Sequence, residues 1–399
     1  MKIGVLAYRL NYYTYLRNIL HKLPEAEYVP VKDLYSFLRR GALAINRRMG
    51  HPLFQTFDLN NQFDDFELNK VDILHFSNGV SYGRTPWISH FETLLPRFSN
   101  VLQRYDGKNK LPLKMTPLNE RGFNALQSPS CKRIIAWSQC AAEFQRDLLS
   151  ELPFEERDSI LEKMVVLHPP QEVLRLQVEQ RQYDHSNPIR FILVGNGFFR
   201  KGGREVLRAF ENLIDTELAP IKLVIVSSFR LDSYSAKETQ ADKDWAIQFI
   251  QDHSDWIEHF DNLLHDKVLE LMKNCDVGLL PTYADSYGFS VLEEQACGLP
   301  VISTDVRALP EINNTSVGWI IRVPKNELGE ALYSTPEERD RLSQQIQSGM
   351  EAIVSSIVAD PSVIYTKALA SIERIRDMHD PQVYAQKLRE IYQEALAAE

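Results

Sequence analysis

Short apolar runs alternate with longer amphipathic stretches along most of the 399-residue chain. Apolar runs of about four to eight residues with helical sequence between them are typical of buried strands in α/β proteins. In the first half the pattern predicts strands at 2–7, 71–76, 86–90, 133–137 and 164–168. Ser138 precedes an amphipathic stretch, and its hydroxyl predicts the N-cap of a helix over 138–150.

A polar stretch from Gln177 to Asn187, closed by Pro188, interrupts this pattern and is interpreted as a domain linker. A second series of predicted strands follows at 189–194, 221–226, 256–260, 276–280 and 300–303. The last stretch, 336–399, is predicted to be largely helical. The sequence therefore predicts an α/β protein of two doubly wound, Rossmann-like domains, residues 1–180 and residues 181–379.

The composition is that of a globular protein, with 44% hydrophobic and 25% charged residues. The net charge of −9 argues against a general nucleic-acid-binding protein, which usually carries a basic surface. Residues 1–180 nevertheless hold 23 Lys and Arg against 20 Asp and Glu, so the excess acid lies in the second half. This asymmetry suggests an anionic partner on the side of the first domain.

The four cysteines form no C-x-x-C pair, and we expect buried reduced thiols. The apolar run at the N-terminus is short and is interpreted as a strand rather than a signal peptide. No apolar run reaches the roughly 18 residues that a membrane-spanning helix requires. We therefore expect a cytoplasmic protein.

The first motif that carries chemistry is the segment Phe191–Gly203, in which a strand leads into a glycine-containing loop and then a helix. The loop ends in Arg200 and Lys201. Backbone N–H groups, a helix N-terminus and two cations favour a phosphate or diphosphate. The alternative interpretation is a solvated basic turn between a strand and a helix.

The second motif is the strand 276–280, followed by the loop 282–290 and a helix over Val291–Cys297. Gly288 would let a ligand approach the backbone closely. Glu293, in the first turn of the predicted helix, could accept hydrogen bonds from paired hydroxyls such as those of a ribose. The alternative is that Glu293 only complements the helix dipole.

The third motif is Thr85–Glu92, where His90 is predicted to end a strand of the first domain. A neutral imidazole at that position could donate to a sugar hydroxyl or polarise a reacting group. The alternative is a structural histidine.

Together these motifs resemble the GT-B glycosyltransferases of the retaining family 4 class, also called glycosyl transferases group 1, over nearly the whole chain. The most specific match runs from Asp276 to Ile321 and centres on Gly288–Asp305. The resemblance implies two Rossmann-like domains that face each other across a cleft. It also implies a C-terminal helix, at about 380–399, that crosses back to the first domain.

The resemblance assigns roles to individual residues. Arg200 and Lys201 would hold the donor diphosphate, Glu293 would bind the ribose, and His90 would contact the transferred sugar. Asp285 stands where the family has a glutamate that touches the donor sugar, and Asn196 stands where many members have arginine. The implied catalytic residues are His90, Arg200, Lys201 and Asp285, and the implied donor-binding residues are Gly195, Asn196, Arg200, Lys201, Ser286, Tyr287, Gly288, Phe289 and Glu293.

No cofactor or metal is expected, because the two cations could stabilise the leaving diphosphate as a metal does in other enzymes. The D-x-D string Asp242-Lys243-Asp244 lies in a polar stretch at a predicted helix start and is not expected to bind metal. The glycine-rich loop common after the first strand of the family is absent, and residues 8–13 stand there instead.

Residues 32–50 carry a net charge of +4 and interleave arginines with large apolar residues. One hypothesis is a helix that contacts an anionic membrane at its surface. The alternatives are a solvated helix or an acceptor-binding loop.

The leading functional hypothesis is a hexosyltransferase that moves a sugar from a UDP- or GDP-sugar to a glycan, lipid or small-molecule acceptor with retention of configuration. The alternative is a non-catalytic relative that binds nucleotide sugar and acts as an assembly or regulatory partner. Asp285 in place of glutamate keeps that alternative open. A third hypothesis is a nucleotide-sugar epimerase.

Overall fold

The computed structural model describes residues 1–105, 110–217, 220–231 and 234–397. The chain folds into two compact units. Unit 1 comprises Met1–Pro170 together with Pro381–Glu399, and unit 2 comprises Gln171–Asp380. Each unit is built around a parallel six-stranded sheet.

The strands of the two units are short and mostly buried. Those of unit 1 are β1 (Lys2–Leu6), β2 (Glu27–Val31), β3 (Gln62–Phe63), β4 (Ile73–Ser77), β5 (Val80–Ser81), β6 (Trp87–Phe91), β7 (Cys131–Ala136) and β8 (Met164–Val166). Those of unit 2 are β9 (Ile189–Val194), β10 (Ile221–Val226), β11 (Ile257–Phe260), β12 (Val277–Leu280), β13 (Val301–Thr304) and β14 (Trp319–Ile321). The sheet orders are β2-β1-β4-β6-β7-β8 and β11-β10-β9-β12-β13-β14, and β3 pairs with β5 in a separate two-stranded sheet.

Helices connect the strands. They are α1 (Tyr13–Asn18), α2 (Leu34–Met49), α3 (Ser99–Leu102), α4 (Pro117–Gln127), α5 (Gln139–Leu149), α6 (Phe154–Leu161), α7 (Gly203–Glu217), α8 (Gln240–Asp252), α9 (His265–Lys273), α10 (Phe289–Ala296), α11 (Leu309–Ile312), α12 (Pro336–Ala359), α13 (Ser362–His379) and α14 (Pro381–Ala397). Within the described residues, short 3-10 helices span Ala7–Arg9, Asp58–Asn61 and Gln103–Tyr105. The Ser138 hydroxyl accepts from the Ala141 N–H at 3.0 Å and caps α5, as predicted.

Helix α14 returns to unit 1 and completes its core, which confirms the predicted crossing of the C-terminal helix. Tyr384, Leu388 and Tyr392 are buried among the residues of the unit 1 sheet and its helices. The Tyr384 hydroxyl donates to the carbonyl of Asn18 at 2.7 Å. Chain ends that are far apart in sequence therefore share one hydrophobic core.

All ten predicted strands are present, with ends that match or shift by at most two residues, and the α/β class is confirmed. The pattern missed β2 and β14, as well as the two-residue strands β3 and β5. The edge strand β2 mixes exposed and half-buried positions and contains Pro30, so it lacks the continuous apolar run of a central strand. The edge strand β14 has only three residues.

The predicted linker Gln177–Asn187 is part of unit 2, which begins at Gln171 rather than after residue 180. The Arg181 guanidinium and the Tyr183 hydroxyl donate to the same oxygen of Asp276, at 3.2 and 3.0 Å. Upstream, the amides of Leu174 and Arg175 both donate to the carbonyl of Ala296. The bonds to Asp276 attach the polar stretch to unit 2 directly before β12. The polar stretch is therefore a packed part of unit 2 and not a free linker.

No single helix in the described ranges is long and apolar enough to cross a membrane. The pair Pro336–Ala359 and Ser362–Ala397 meets the length and composition together but is bent by 108°. Both parts of that pair bury apolar side chains inside the protein, as core helices do.

Candidate functional site

The candidate site lies at the carboxyl edge of the unit 2 sheet, where two loops follow neighbouring strands. Loop A, residues 195–202, follows β9, and loop B, residues 281–288, follows β12. The Arg200 carbonyl accepts from the Tyr283 N–H at 2.8 Å and from the Thr282 hydroxyl at 3.0 Å. Adjacent parallel strands end side by side, and these bonds join the two sequence motifs into one site.

Two glycines allow loop A to pack this closely. Gly195 has φ +135°, and an added Cβ would lie 2.4 Å from Cε of Lys201, so the lysine chain passes directly over this backbone position. Gly202 has φ +79°, and an added Cβ would lie 2.1 Å from the carbonyl oxygen of Pro281 in loop B. Only glycine meets both demands at residue 202, the backbone conformation and the space.

Arg200 and Lys201 converge on one carboxylate. Oδ2 of Asp285 lies 3.8 Å from Nη1 of Arg200 and 3.7 Å from Nζ of Lys201, and all three side chains are less than a quarter exposed. The Arg200 guanidinium also donates to the carbonyl of Ala284. Two cations in a partly desolvated setting form a centre that attracts an anion more strongly than the same charges do in open water.

Asp285 also holds the turn before α10. Its Oδ1 accepts from the amides of Tyr287 at 3.2 Å and Gly288 at 2.8 Å. The amides of Tyr287 and Gly288, two of the implied donor-binding residues, are therefore hydrogen-bonded within the loop. The shorter side chain of aspartate suits this turn, because its carboxylate reaches amides two and three residues on.

Glu293 lies on α10 and is largely buried beside a histidine that the sequence did not point to. Its Oε1 is 3.6 Å from Nε2 of His265, the first residue of α9. No motif singles out His265, because α9 precedes β12 and meets α10 only in the folded unit. Glu293 lies on α10, the helix that follows loop B, and His265 lies on α9, both in the same unit as Lys201.

Asn196 connects loop A to the segment after β10. Its Oδ1 accepts from the Ser228 hydroxyl at 3.0 Å, and its carbonyl accepts from the Arg230 N–H at 3.0 Å. Asn196 itself is exposed, while Ser286 and Phe289 of the second motif are half-buried. The structure thus brings every predicted donor-binding residue to one edge of one sheet.

Two buried carboxyl groups close to the site were missed by sequence reasoning. Glu294 is fully buried, neither of its oxygens has a hydrogen-bond partner, and burial raises its pKa well above the usual value. An added Cβ on Gly278 would lie 2.6 Å from Oε2 of Glu294, so a strand glycine makes room for the carboxyl group. Glu205 is also buried and accepts from the hydroxyls of Tyr283 and Ser343 at 2.9 and 2.6 Å.

The D-x-D string has a structural use at its first residue. Asp242 closes a capping box with Thr239 at the start of α8 and pairs with Arg204 at 2.5 Å. In the part of the chain that the structure describes, no group of three His, Cys, Asp or Glu side chains is placed to hold a metal ion.

His90 lies one residue before the end of its strand, close to the predicted position, but its side chain is buried rather than presented at the strand end. Strand β6 continues to Phe91, and His90 is fully buried against α14 within unit 1. Its Nδ1 is 2.7 Å from Nε2 of His75, and its Nε2 is 3.1 Å from the Tyr384 hydroxyl. Burial lowers the pKa of His90 to about 3 and that of His75 well below its usual value.

The hydrogen bonds around His90 follow one direction. Because the Tyr384 O–H donates to Asn18, its oxygen accepts from Nε2–H of His90. Nδ1 of His90 then accepts from Nε2–H of His75 at 2.7 Å, and Nδ1 of His75 accepts from the Tyr392 O–H at 2.5 Å. This assignment keeps both imidazoles neutral and fastens α14 to the sheet, which is the structural alternative weighed for His90.

Solved structures with similar architecture cover nearly the whole chain. The Anabaena protein Alr3699/HepE, crystallised in complex with UDP, superposes with a TM-score of 0.56 over 98% of this chain and 100% of that one, at 13% identity. Sucrose-phosphate synthase from Thermosynechococcus elongatus superposes with a TM-score of 0.54 over 94% of this chain and 82% of that one, at 14% identity. The chain has the GT-B fold.

Sequence comparison concerns the second half of the chain. Residues 177–349 match the family model for glycosyl transferases group 1, and this segment contains loops A and B and helix α10. The glycogen synthase of Mycobacterium tuberculosis is 21% identical over 212 residues, which is 52% of this chain. That match spans 43% of the relative, so the chain covers less than half of the length of the curated protein it resembles.

Proposed function

We propose that the protein is a glycosyltransferase that transfers a sugar from a nucleoside diphosphate sugar to an acceptor with retention of configuration. The observation that carries this proposal is the convergence of Arg200 and Lys201 on Asp285 at the carboxyl edge of the unit 2 sheet, with Glu293 on the helix that follows loop B. The family match of residues 177–349 supports the same assignment, because it contains these residues.

In this proposal the cations bind the donor diphosphate. In the structure they face Asp285, which neutralises part of their charge. As the bond between sugar and diphosphate breaks, negative charge builds up on the leaving group, and the attraction to two fixed cations increases. That differential stabilisation lowers the barrier, whereas equal binding of ground state and transition state would not.

Glu293 is proposed to bind the ribose. Its carboxylate can accept from two adjacent hydroxyls, and its position on α10 is fixed by the burial of that helix. His265, at 3.6 Å from Glu293, would orient the carboxylate. The donor would then extend along the carboxyl edge of the sheet, with ribose at α10 and diphosphate at loop A.

Asp285 is proposed to meet the transferred sugar through Oδ2, because Oδ1 is already bonded to the amides of loop B. A carboxylate there would favour an oxocarbenium-like transition state with its developing positive charge. His90 has no part in the proposed site, because it is buried within unit 1. Because Arg200 and Lys201 stabilise the negative charge of the leaving group, we propose that the transfer requires no metal.

The experiment is calorimetric titration with UDP, GDP and ADP, followed by measurement of nucleoside diphosphate release from the matching sugars over a panel of acceptors. We expect one base to bind, and Lys201→Ala to lower turnover about 100-fold, as the loss of one transition-state donor does elsewhere. Glu293→Ala should weaken binding of the nucleoside. Lys222→Ala is the matched control, because Lys222 is an exposed lysine at the start of β10.

The outcomes separate the hypotheses. If no nucleotide or nucleotide sugar binds, the assignment of the site is wrong. Binding that depends on Lys201 without turnover on any acceptor would favour the non-catalytic alternative. Conversion of the donor sugar in the absence of acceptor would indicate an epimerase. Retention is checked by the anomeric configuration of the product in its NMR spectrum.

A further inference from the structure

A cavity of about 230 Å³ opens in unit 1 where the parallel strands β1 and β2 end side by side. Tyr8 follows β1, and Lys32 follows β2. Ser36, Arg39 and Arg40 line the same cavity from the first two turns of α2. Open parallel sheets bind ligands outside the carboxyl ends of their strands, so the cavity lies where a ligand of unit 1 is expected. It shares no residue with loops A and B.

The three cations that line the cavity have no acidic partner within ion-pair distance among the described residues. The Arg39 guanidinium lies 5.3 Å from the centre of the Tyr8 ring. Nε of Arg40 reaches only the carbonyl of Ser36, at 3.4 Å. The neighbouring acid, Asp33, uses Oδ1 to cap α2 through the Ser36 N–H at 2.5 Å. The terminal N–H groups of the cations therefore stay available to a ligand.

The number of charges and the size of the cavity indicate a phosphate group. A phosphate monoester offers three strong acceptor oxygens and nearly two negative charges, whereas a carboxylate offers two oxygens and one charge. Three cations around one cavity match the larger anion better. Pockets that enclose a whole small ligand hold roughly 300–1,000 Å³. The smaller cavity of unit 1 would take the charged end of a ligand and leave its remaining hydroxyls outside.

We propose that this cavity binds the phosphate of a soluble sugar phosphate, and that this sugar phosphate is the acceptor of the transfer. The assignment as acceptor rests on the proposed function, because a transferase needs a second substrate beside its donor. The binding of phosphate does not depend on it. The exposed apolar residues of α2 argue against a lipid as the source of the phosphate. At about 100° per residue, Leu38, Ile45 and Met49 lie on the face of the helix opposite to the cavity.

The first test is calorimetric titration of the full-length protein with inorganic phosphate, at low ionic strength and without nucleotide sugar. Arg39→Gln with Arg40→Gln should weaken phosphate binding about tenfold or more, because hydrogen bonds between charged groups are lost. Arg47→Gln with Arg48→Gln is the matched control. It removes two exposed cations of the same helix that do not line the cavity, and it should change the affinity less than about threefold because solvent screens them.

Two single variants complete this test. Lys201→Ala removes a cation of unit 2, and the phosphate binding that depends on Arg39 and Arg40 should persist in it. This variant separates the cavity from loop A, which also attracts anions. Lys32→Gln removes the third cation of the cavity and should weaken phosphate binding with little effect on folding, because Lys32 is exposed.

The second test measures nucleoside diphosphate release with glucose, fructose and mannose and with their phosphates as acceptors. We expect kcat/KM to be at least about tenfold higher for one of the phosphates than for the parent sugar. Arg39→Gln with Arg40→Gln should raise the KM of that acceptor about tenfold and leave the KM of the donor unchanged.

The outcomes distinguish this inference from the proposed function. Absence of phosphate binding, or equal losses in the two double arginine variants, would overturn the phosphate site while the donor still binds. Glucuronate that binds as tightly as phosphate would assign the cavity to a carboxylate instead. Capture by vesicles that contain phosphatidic acid, through Arg39 and Arg40, would assign it to a lipid phosphate.

The assignment as acceptor has its own outcomes. A protein that binds the donor but transfers to none of the sugar phosphates, or transfers equally well to the parent sugars, would overturn it. If no nucleotide or nucleotide sugar binds, the proposed function is wrong and the acceptor assignment falls with it. Phosphate binding that depends on Arg39 and Arg40 would still support the site in unit 1.

Discussion

The close packing of loop A against loop B predicts that Gly202→Ala damages both the stability of unit 2 and its donor site. Alanine at residue 202 would occupy the left-handed backbone region at φ +79°, and its Cβ would lie 2.1 Å from the Pro281 carbonyl oxygen. The opposing atom belongs to the backbone, so no side-chain rotation relieves the clash. Loop A would have to move away from loop B and take Arg200 and Lys201 with it.

The loss of stability expected for Gly202→Ala has two parts, one from backbone conformation and one from steric contact. A matched glycine in unit 2 allows the two parts to be separated. Gly329 has φ +78°, and its added Cβ would meet only the backbone of Arg307, at 3.5 Å or more, which is ordinary contact. Both substitutions incur the left-handed cost of about 1–2 kcal/mol. Gly202→Ala adds a cost of overpacking of about 1–3 kcal/mol. The difference between the two variants therefore isolates the contact between the loops.

The assay is amide hydrogen exchange of peptides from β9 and β12, which reports the opening of unit 2 by itself in a protein of two units. Since about 1.4 kcal/mol corresponds to a factor of ten, exchange in Gly202→Ala should be roughly five- to 100-fold faster than in Gly329→Ala. Nucleotide affinity should fall in the first variant and persist in the second. Equal exchange rates and equal affinities in the two variants would refute the packing argument.

The remaining predictions concern buried ionisable groups and the leaving group. His75 and His90 are neutral in the fold and have lowered pKa values, so the unfolded chain takes up more protons below about pH 6.5. Unit 1 should therefore lose up to about 1.4 kcal/mol per pH unit for each histidine as the pH falls from 6.5 towards 3. A smaller protection factor of α14 peptides at pH 5 than at pH 7, after correction for the slower intrinsic exchange at low pH, checks this. With His51→Gln as the exposed control, the same dependence of opening free energy on pH in His90→Gln as in the unsubstituted protein would contradict it. Burial raises the pKa of Glu294 well above its usual value, so its cost to the stability of unit 2 grows as the pH rises above the pKa of an unfolded glutamate. Glu294→Gln should then stabilise unit 2 at pH 8 by on the order of 1 kcal/mol in β12 exchange, whereas lower stability would show that the buried carboxyl group is needed. Because Arg200 and Lys201 supply the positive charge, EDTA should leave sugar transfer unchanged, and loss of activity that Mg²⁺ restores would contradict the proposed roles of the two cations.

The sequence by itself determined the parts of the fold whose signals are local. A buried parallel strand is a continuous apolar run, so the central strands could be predicted to within a few residues, as could the helix capped by Ser138. The edge strands β2 and β14 were missed because one of their sides faces water or a loop and the apolar run shortens. The polar composition of residues 177–187 suggested a linker, but Arg181 and Tyr183 are polar side chains that hydrogen-bond to Asp276.

The candidate site was accessible to sequence analysis because its residues lie in two short motifs, each directly after a strand. What the sequence lacked was the pairing between elements that are distant along the chain. The tertiary structure alone placed His265 beside Glu293 and turned Oδ1 of Asp285 to the amides of loop B.

His90 shows the physical reason most clearly. Its position near the end of a strand is a local property, and the sequence indicated it well. The direction of its side chain depends on which face of the sheet α14 covers, and that helix comes nearly 300 residues later in the chain, with its Tyr384 hydroxyl 3.1 Å from the imidazole. Local pattern therefore determined where the chemistry could lie, whereas packing between distant segments decided which side chains are exposed to a ligand and which are enclosed in the core.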